Sequence, residues 1–426
     1  MPTEIRASDL QLARFIRPGD TVVWPQGTAE PLTLTEALVA QRHAFGPVTV
    51  FLGPAFSDTL RPEHTDRLRF LAMSAIGTHR RLVEACVLRL IPCQLSDVPG
   101  LFQSGVLKSE VVFLHLSPPA DGRGEYSMGI VNDYLKIAMR RARVVIAEVN
   151  EQLPWTHADE PLDFARVDYV VRTSRPPLEQ ATRTPSETDR AIARRVAELV
   201  PDGGVIQIGI GAMPAAILDA LHSHRRLGIH SGMIGDSVVD LVASGAVTNE
   251  TKPFDRGVSV TGALLGTRRL YDFAHRNPQL VLKPLTFTHN VELLAQIDRF
   301  ISLNSAIEID LGGQVNAEVA GGVYIGAVGG QVDYVRAARR SRGGRSIIAL
   351  PATARGGKVS RIVAALSAPV VTTARSDVDV VVTEFGAAEL RGISLEERAR
   401  RLVAIAAPQF REELERAARA SFGPIY

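Results

Sequence analysis

Two segments of the chain, from Pro18 to Pro31 and from Pro201 to Pro214, align with each other without a gap. In each, an apolar run leads into a glycine-containing loop that ends at the second proline. Identities continue to Ala37-Leu38 in the first copy and to Ala220-Leu221 in the second. Each half of the chain is therefore predicted to contain a helix, a turn, an apolar strand, a glycine loop and another helix, as expected of a tandem duplication.

The join between the two halves is predicted near residues 173–186, a polar stretch that contains Pro176, Pro177 and Pro185. Directly after it, Ser186 and Asp189 have the spacing of a helix start. A chain of 426 residues also exceeds the length typical of one domain. We expect an N-terminal domain over residues 1–180 and a C-terminal domain over residues 186–426.

Short apolar runs alternate with helical patterns along both halves, which indicates an α/β fold with mainly parallel sheets and crossover helices. The runs are Val48 to Leu52, Val111 to Leu116, Val144 to Val149, Ile347 to Leu350 and Val378 to Val382. Near the end of the chain, Ser394 and Glu397 have the spacing of a capping box, which predicts a helix from Leu395 to about Ala406.

Composition excludes several classes of function. The formal net charge is +2, which is not the profile of a nucleic-acid-binding protein. Arginine-rich stretches at 140–143 and 336–345 fit solvated helix faces, or contacts to phosphates such as the 3′-phosphate of coenzyme A. Two cysteines are too few for a disulfide framework or a thiolate metal site, and we find no signal peptide or long apolar span. We expect a cytoplasmic protein without a metal, a nucleic-acid partner or a membrane.

Two glycine-rich loops are candidate ligand contacts. After the apolar run Val205 to Ile208, Gly209 and Gly211 leave backbone N–H groups open to a ligand, although a tight structural turn has the same signature. The loop lacks the third glycine of the dinucleotide fingerprint. A second cluster, Gly321-Gly322 and Gly329-Gly330-Gln331, fits either a thioester cradle or sharp turns in a bent sheet.

The segment that begins at His230 carries the candidate catalytic residues. His230 is a candidate base or a structural residue at a strand end, and Asp236 is most simply the N-cap of the helix that follows. No serine-hydrolase elbow and no metal-ligand spacing occurs in the sequence.

At these residues the sequence resembles the acetyl-CoA hydrolase/acetate and 4-hydroxybutyrate CoA-transferase family, over nearly the whole chain. The matching segments are His115-Leu-Ser-Pro-Pro119, Ile146-Ala-Glu-Val-Asn150, Gly209-Ile-Gly-Ala-Met-Pro214, Leu227-Gly-Ile-His-Ser231, Asn304-Ser-Ala-Ile-Glu-Ile-Asp310, Gly313-Gln-Val-Asn-Ala-Glu318, Gly329-Gly-Gln-Val-Asp333, Ser346-Ile-Ile-Ala-Leu-Pro351 and Val382-Thr-Glu-Phe-Gly386.

The resemblance implies two tandem α/β domains and coenzyme A contacts in both glycine loops. The contacts implied by it are Gly209, Ile210, Gly211, Ala212 and Met213 in the first loop, and Gly326, Gly329, Gly330 and Gln331 in the second. It also implies a catalytic glutamate, which attacks acyl-CoA to give an anhydride and then a glutamyl-CoA thioester. At that position this sequence has Gly232. Ile234 and Gly235 depart from the family pattern as well, and we expect a reshaped and enlarged pocket there.

Glycine has no side chain with which to form a covalent intermediate. The first hypothesis is therefore an acyl-CoA enzyme in which water or a second substrate attacks the thioester directly, with His230, Glu125 or Asp236 as general base, in that order. CoA transfer to a carboxylate through a substitute carboxylate, and an acyl-CoA-binding protein without turnover, are the alternatives. The acyl group, the acceptor and a homo-oligomeric state are left open.

Overall fold

The computed structural model describes residues 2–119 and 124–423, which divide into two compact units. The first unit is formed by residues 1–181 and 260–288, and the second by residues 182–259 and 289–426. The division at 181 and 182 lies within the polar stretch that the sequence marks. Residues 260–288 are assigned to the first unit, whereas the sequence division places them with the C-terminal domain.

The first part of the chain alternates strands with helices. Its strands are β1 (Thr3–Glu4), β2 (Thr21–Val23), β3 (Val48–Leu52), β4 (Leu68–Ala72), β5 (Leu88–Leu90), β6 (Val111–Leu116), β7 (Val144–Asn150), β8 (His157–Ala158) and β9 (Tyr169–Thr173). Its α-helices are α1 (Leu32–Ala40), α2 (Arg80–Glu84), α3 (Val98–Ser104) and α4 (Leu135–Arg141).

Most of these strands form one parallel sheet in the order β1-β9-β7-β6-β2-β3-β4-β5. Neighbouring residues of a strand enter different apolar clusters: Val22 packs into one and Val23 into the other. Because side chains alternate across a strand, both faces of this sheet are buried, as expected of a parallel sheet with crossover helices.

The middle of the chain continues the alternation and contains the segment that joins the first unit. Its elements are α5 (Glu187–Leu199), β10 (Val205–Ile208), α6 (Ala212–Ala220), β11 (Gly228–Ile234), α7 (Ser237–Ala243), β12 (Ser259–Leu264), α8 (Arg268–Ala274), β13 (Leu280–Leu282) and α9 (Leu285–Thr288). Ser186 caps α5 as predicted: its side chain accepts from the Asp189 N–H at 3.1 Å, and Asp189 accepts from the Ser186 N–H in return.

The remainder of the chain completes the second unit. Its strands are β14 (Phe300–Ser305), β15 (Glu308–Asp310), β16 (Val315–Asn316), β17 (Val319–Ala320), β18 (Val323–Tyr324), β19 (Arg345–Ala349), β20 (Thr353–Ala354), β21 (Val359–Ser360), β22 (Ile362–Val363), β23 (Val380–Thr383) and β24 (Gly386–Glu389). Its helices are α10 (Val291–Leu294), α11 (Gln331–Arg340), α12 (Leu395–Ala404) and α13 (Pro408–Phe422).

The main sheet of the second unit has the order β23-β19-β14-β10-β11, and all of these pairs are parallel. The β24 strand pairs with β23 in the antiparallel direction. The predicted class of mainly parallel α/β sheets in two tandem domains is therefore confirmed. Since parallel strands share one carboxyl edge, the loops that follow β10 and β11 leave this sheet on the same side.

Candidate active site

The first glycine loop joins the buried strand β10 to α6. Gly211 is the N-cap residue of α6, with φ +116° and ψ −178°, a conformation that L side chains rarely adopt. A β-carbon built on Gly209 or Gly211 would meet no atom within 4 Å, so the side of the loop on which each would stand is open. The first N–H groups of α6 lack partners within the helix, which makes this end suited to a negatively charged or polarised group.

Strand β11 lies beside β10, with Ile206 opposite Ile229. The buried Ser231 hydroxyl fastens the two strands, since it donates to the Ile208 carbonyl at 2.8 Å and accepts from the Ile208 N–H at 3.2 Å. His230 is wholly buried, and its ring meets that of Phe254 edge-on, with the centroids 6.0 Å apart. The structure thus gives His230 the surroundings of a core residue.

Gly232, two residues further along β11, has no room for a side chain. A β-carbon there would stand 2.6 Å from Cε1 and 2.8 Å from Nε2 of His289, and 2.7 Å from the hydroxyl oxygen of Tyr334. Real β-carbons essentially never show contacts below 3.0 Å. The expectation of an enlarged pocket is therefore wrong at this point: a histidine and a tyrosine fill the space into which a longer residue would extend.

The same imidazole also lies against the second glycine loop. A β-carbon on Gly330 would meet Cδ2 and Nε2 of His289 at 2.5 Å each. The two partly exposed glycines, Gly232 and Gly330, thus lie against one buried ring, and both must lack a side chain for the ring to fit. The need for a glycine on β11 and the need for one at the start of α11 thus have the same physical cause, the His289 ring.

Burial determines the protonation of this pair. It lowers the pKa of His289 to about 3, so the imidazole is neutral at physiological pH. It also raises the pKa of the Tyr334 phenol above its usual range, and the two rings are tilted against each other with centroids 4.8 Å apart. The site therefore has an uncharged ring and an uncharged hydroxyl at the position where the resemblance implies a carboxylate.

Sequence reasoning missed both residues. His289 precedes the N-cap Asn290 of α10, and Tyr334 lies in the first half of α11. No spacing in the sequence connects either of them to Gly232. The signal present in the sequence is indirect: Gly232 and Gly330 are small, and small residues on neighbouring segments permit a bulky neighbour.

The second glycine loop has a more structural character than predicted at Gly326. A β-carbon there would stand 2.1 Å from the Ala317 carbonyl oxygen, and the Gly326 N–H donates to the Glu318 carbonyl at 3.0 Å. Gly329 has φ +59°, and a β-carbon there would meet Cβ of Ala327 at an ordinary contact distance of 3.9 Å. Gln331 donates from Nε2 to the Thr373 hydroxyl at 3.0 Å. Gly329 therefore leaves more room for a ligand than Gly326.

The remaining predicted bases lie in different surroundings. Asp236 is half-buried at the N-cap position of α7, but its side chain makes no capping hydrogen bond. Glu125 is exposed and belongs to the first unit, where its backbone carbonyl accepts from Trp155 Nε1 at 2.9 Å. In the part of the chain that the structure describes, no group of three or more His, Cys, Asp or Glu residues could hold a metal ion.

Comparison with known proteins agrees with the duplicated architecture. The acetyl-CoA hydrolase/transferase N-terminal domain matches residues 5–178, and the C-terminal domain of the same name matches residues 266–418. The chain belongs to the acetyl-CoA hydrolase/transferase family. The resemblance seen in the sequence is thus confirmed, and the protein is a member of a family of acyl-CoA hydrolases and CoA-transferases.

Relatives within the acetyl-CoA hydrolase/transferase family span almost the whole chain. A 4-hydroxybutyrate coenzyme A transferase of Clostridium kluyveri is 39% identical, with 92% of each chain covered. A succinyl-CoA:cyclohexane-1-carboxylate CoA transferase of Geobacter metallireducens is 34% identical, with 97% of this chain and 94% of the relative covered. The crystal structure of RipA from Yersinia pestis has a TM-score of 0.90 at 33% identity and covers 96% of this chain and 95% of its own.

No helix within residues 2–119 and 124–423 combines the length and the apolar character needed to cross a membrane.

Proposed function

We propose that the protein binds an acyl-CoA thioester and promotes direct attack on it, either by water or by a second substrate, without a glutamyl-CoA intermediate at position 232. The observation that carries this proposal is the packing at Gly232, where His289 and Tyr334 take up the space that a nucleophilic side chain would need. An acyl-CoA hydrolase or acyltransferase would result.

The glycine loops support thioester binding. Gly209 and Gly211 leave an open face beside the N-terminus of α6, where backbone donors would stabilise the oxyanion that forms when a thioester carbonyl is attacked. We propose Gly209, Ile210, Gly211, Ala212 and Met213 as the main contacts to coenzyme A. Gly329, Gly330 and Gln331 would add to them, and Gly326 would serve mainly to let the loop pack against Ala317.

A general base is needed to activate water or an acceptor. Asp236 is half-buried and follows β11 directly, which favours it over the wholly buried His230. A neutral imidazole with a pKa near 3 is a weak base, so His289 would act as a hydrogen-bonding and packing group. Glu125, the remaining candidate base, has an exposed side chain.

CoA transfer to a carboxylate is a second candidate, because two of the relatives are CoA transferases. It would require a carboxylate other than position 232 to carry the coenzyme A. Asp236 is again the nearest candidate in sequence, four residues beyond Gly232.

The two candidates are distinguished by one experiment. The protein is incubated with a panel of short acyl-CoAs, with and without acetate or 4-hydroxybutyrate, and free CoA, acids and the intact protein mass are measured. We expect release of CoA and no covalent CoA adduct. An adduct of the mass of CoA that disappears with hydroxylamine would contradict the proposal and support transfer through a substitute carboxylate.

The base is tested in the same assay with Asp236→Asn. Asp240→Asn, one turn further along α7, is the matched control because it removes a carboxylate from the same helix. We expect a fall in turnover of about a hundredfold for the first variant, the typical contribution of a positioned base, and little change for the second. Equal turnover in both variants would exclude Asp236.

A further inference from the structure

A cluster of arginines surrounds a surface pocket at the C-terminal end of α11. The pocket has a volume of about 360 Å³ and is lined by Arg336, Arg339, Arg340, Arg391 and Asp377. Four of these five side chains are cationic, and one is anionic. The arginines belong to the stretch that the sequence left open as either a solvated helix face or a phosphate contact.

The ion pairs in the pocket leave an excess of positive charge. Arg336 Nε donates to Asp377 at 3.1 Å, and Arg339 shares the same carboxylate at 3.3 Å. Arg391 is held through its donation to the backbone carbonyl of Arg339 at 3.1 Å. Asp377 therefore serves two guanidinium groups, and that of Arg391 donates to a neutral backbone carbonyl. Arg340 is paired with Glu292, outside the lining, at 2.6 Å. Two carboxylates thus face four guanidinium groups.

A further arginine, Arg398, interacts electrostatically with the lining residue Arg339. Arg398 is buried, and its guanidinium donates to the carbonyls of Arg375 and Gly312. Burial lowers the pKa of Arg398, and the charges of Arg339 and Arg375 lower it further. The guanidinium groups of Arg339 and Arg375 thus lie close enough to Arg398 to disfavour its protonated form.

The pocket lies away from the glycine loops. Helix α11 begins at Gln331, next to Gly330, and ends at Arg340, so its ten residues separate the two ends by about 15 Å. Ser376 and Asp377 precede β23, whereas the Gly209–Gly211 loop follows the carboxyl end of β10. Because β10 and β23 lie in one parallel array, the arginine pocket is at the opposite edge of the sheet from that loop.

We propose that this pocket is a second binding site, separate from the thioester site, for a compound that carries two or more linked phosphate groups. Guanidinium groups match phosphate oxygens with paired donors, and several together suit a polyanion. The volume lies in the range of small-molecule sites. No aromatic side chain is among the lining residues, so recognition is of the phosphates and not of a base.

The test uses the full-length protein and isothermal titration with inorganic pyrophosphate and, separately, ADP. Arg391→Gln removes one guanidinium and leaves both ion pairs to Asp377 in place. We expect its affinity for pyrophosphate to be about tenfold lower, as for one lost charge-assisted contact, and ADP to behave in parallel. Arg416→Gln, an exposed arginine on α13, is the matched control and should bind as the unaltered protein does.

A second variant is expected to change the affinity for pyrophosphate in the opposite direction. Asp377→Asn removes the competing carboxylate and should tighten pyrophosphate binding, which a merely structural disturbance would not do. Binding that fails to saturate, or identical affinities in Arg391→Gln and Arg416→Gln, would overturn the proposal.

A third measurement separates this site from coenzyme A. Affinity for CoA should be unchanged in Arg391→Gln. If it falls together with that for pyrophosphate, the arginines contact CoA itself and the separate site is wrong. Because this readout is binding alone, it fails or succeeds independently of the proposed chemistry at Gly232.

Discussion

Cε1 of His289 lies 2.6 Å from the point that a β-carbon on Gly232 would occupy. The position of the His289 ring therefore depends on the absence of a side chain at Gly232. A glutamate at position 232 would require the imidazole and the Tyr334 hydroxyl to shift, because its first side-chain atom would already overlap both. His289 and Tyr334 thus lie where a longer residue at position 232 would extend.

We therefore expect Gly232→Glu to be destabilised, by about 1–3 kcal/mol as for other overpacked sites, and to lose native turnover. Gly232→Glu combined with His289→Gly should recover part of this stability, since the ring that overlaps the new side chain is gone, although the Tyr334 hydroxyl still lies 2.7 Å from the β-carbon position. Thermal unfolding and turnover of the two variants check this. Gly100→Glu, where a β-carbon meets no atom within 4 Å, is the control for an added carboxylate. If Gly232→Glu alone is as stable as Gly100→Glu, the packing argument is refuted.

The first glycine loop gives a prediction about coenzyme A. Gly209 lies outside the positive-φ region and has open space around its missing β-carbon, so Gly209→Val introduces bulk without positive-φ strain. We expect stability to be unchanged and affinity for CoA esters to fall at least about tenfold, because the side chain would occupy the ligand's space. Gly211→Val should also obstruct binding, but its φ of +116° adds strain.

Equilibrium binding of a non-hydrolysable CoA ester checks this prediction. Gly100→Val serves as a control, since it also has open space around its missing β-carbon, has no positive φ and lies in α3 of the first unit. Unchanged affinity in a folded Gly209→Val protein would remove this loop from the site.

Local patterns predicted the elements of the fold well, because the signals that define them lie within a few residues. The apolar runs Val48–Leu52 and Val111–Leu116 are strands with those bounds, and Ser186 and Ser394 cap helices as their spacing indicates. The segment 260–288 was assigned differently, because membership of a unit depends on contacts between residues far apart in sequence.

The site was less predictable for the same reason. Gly232 could be recognised from its neighbours in sequence, but its partner His289 is more than fifty residues away and lies beside it only after folding. The glycine at position 232 also gave no reason to expect that His289 and Tyr334 fill the space beside it, since the loss of a side chain by itself suggests a larger pocket.

The buried His289 makes stability dependent on pH. Its folded pKa of about 3 lies below its ordinary value of about 6.5, so the unfolded chain binds the proton more tightly. The stabilisation is present above pH 6.5 and is lost as the pH falls towards 3. Between pH 6.5 and pH 5 the loss should be about 2 kcal/mol.

Hydrogen exchange of peptides from β10 and β11 at pH 7 and pH 5 measures this effect within the second unit. His289→Gln should show a smaller loss of protection between the two pH values than the unaltered protein. His222→Gln, an exposed histidine, should behave as the unaltered protein does. Equal pH dependence in all three proteins would show that His289 does not control this transition.

In the first unit, Asp133 makes stability depend on pH in the opposite direction, since its contribution is lost as the pH rises. Burial raises its pKa to about 7, against the lowering effect of backbone N–H groups such as that of Leu135, which donates to Oδ1 at 3.0 Å. Its other oxygen, Oδ2, has no hydrogen-bond partner among the described residues. Because the folded pKa lies above the unfolded value, this stabilisation is present below about pH 4 and is lost as the pH rises through 7.

Asp133→Asn cannot ionise, so its stability relative to the unaltered protein should rise by up to about 4 kcal/mol between pH 4 and pH 8. Urea unfolding followed by tryptophan fluorescence reports this unit, since both tryptophans, Trp24 and Trp155, belong to it. Trp24 lies close to the region of Asp133, because its carbonyl accepts a hydrogen bond from the hydroxyl of Tyr134, the next residue after Asp133, at 3.2 Å. Asp9→Asn, at an exposed position, is the control and should keep a constant difference from the unaltered protein. A constant difference for Asp133→Asn as well would mean that the pKa of Asp133 is the same in the folded and unfolded states.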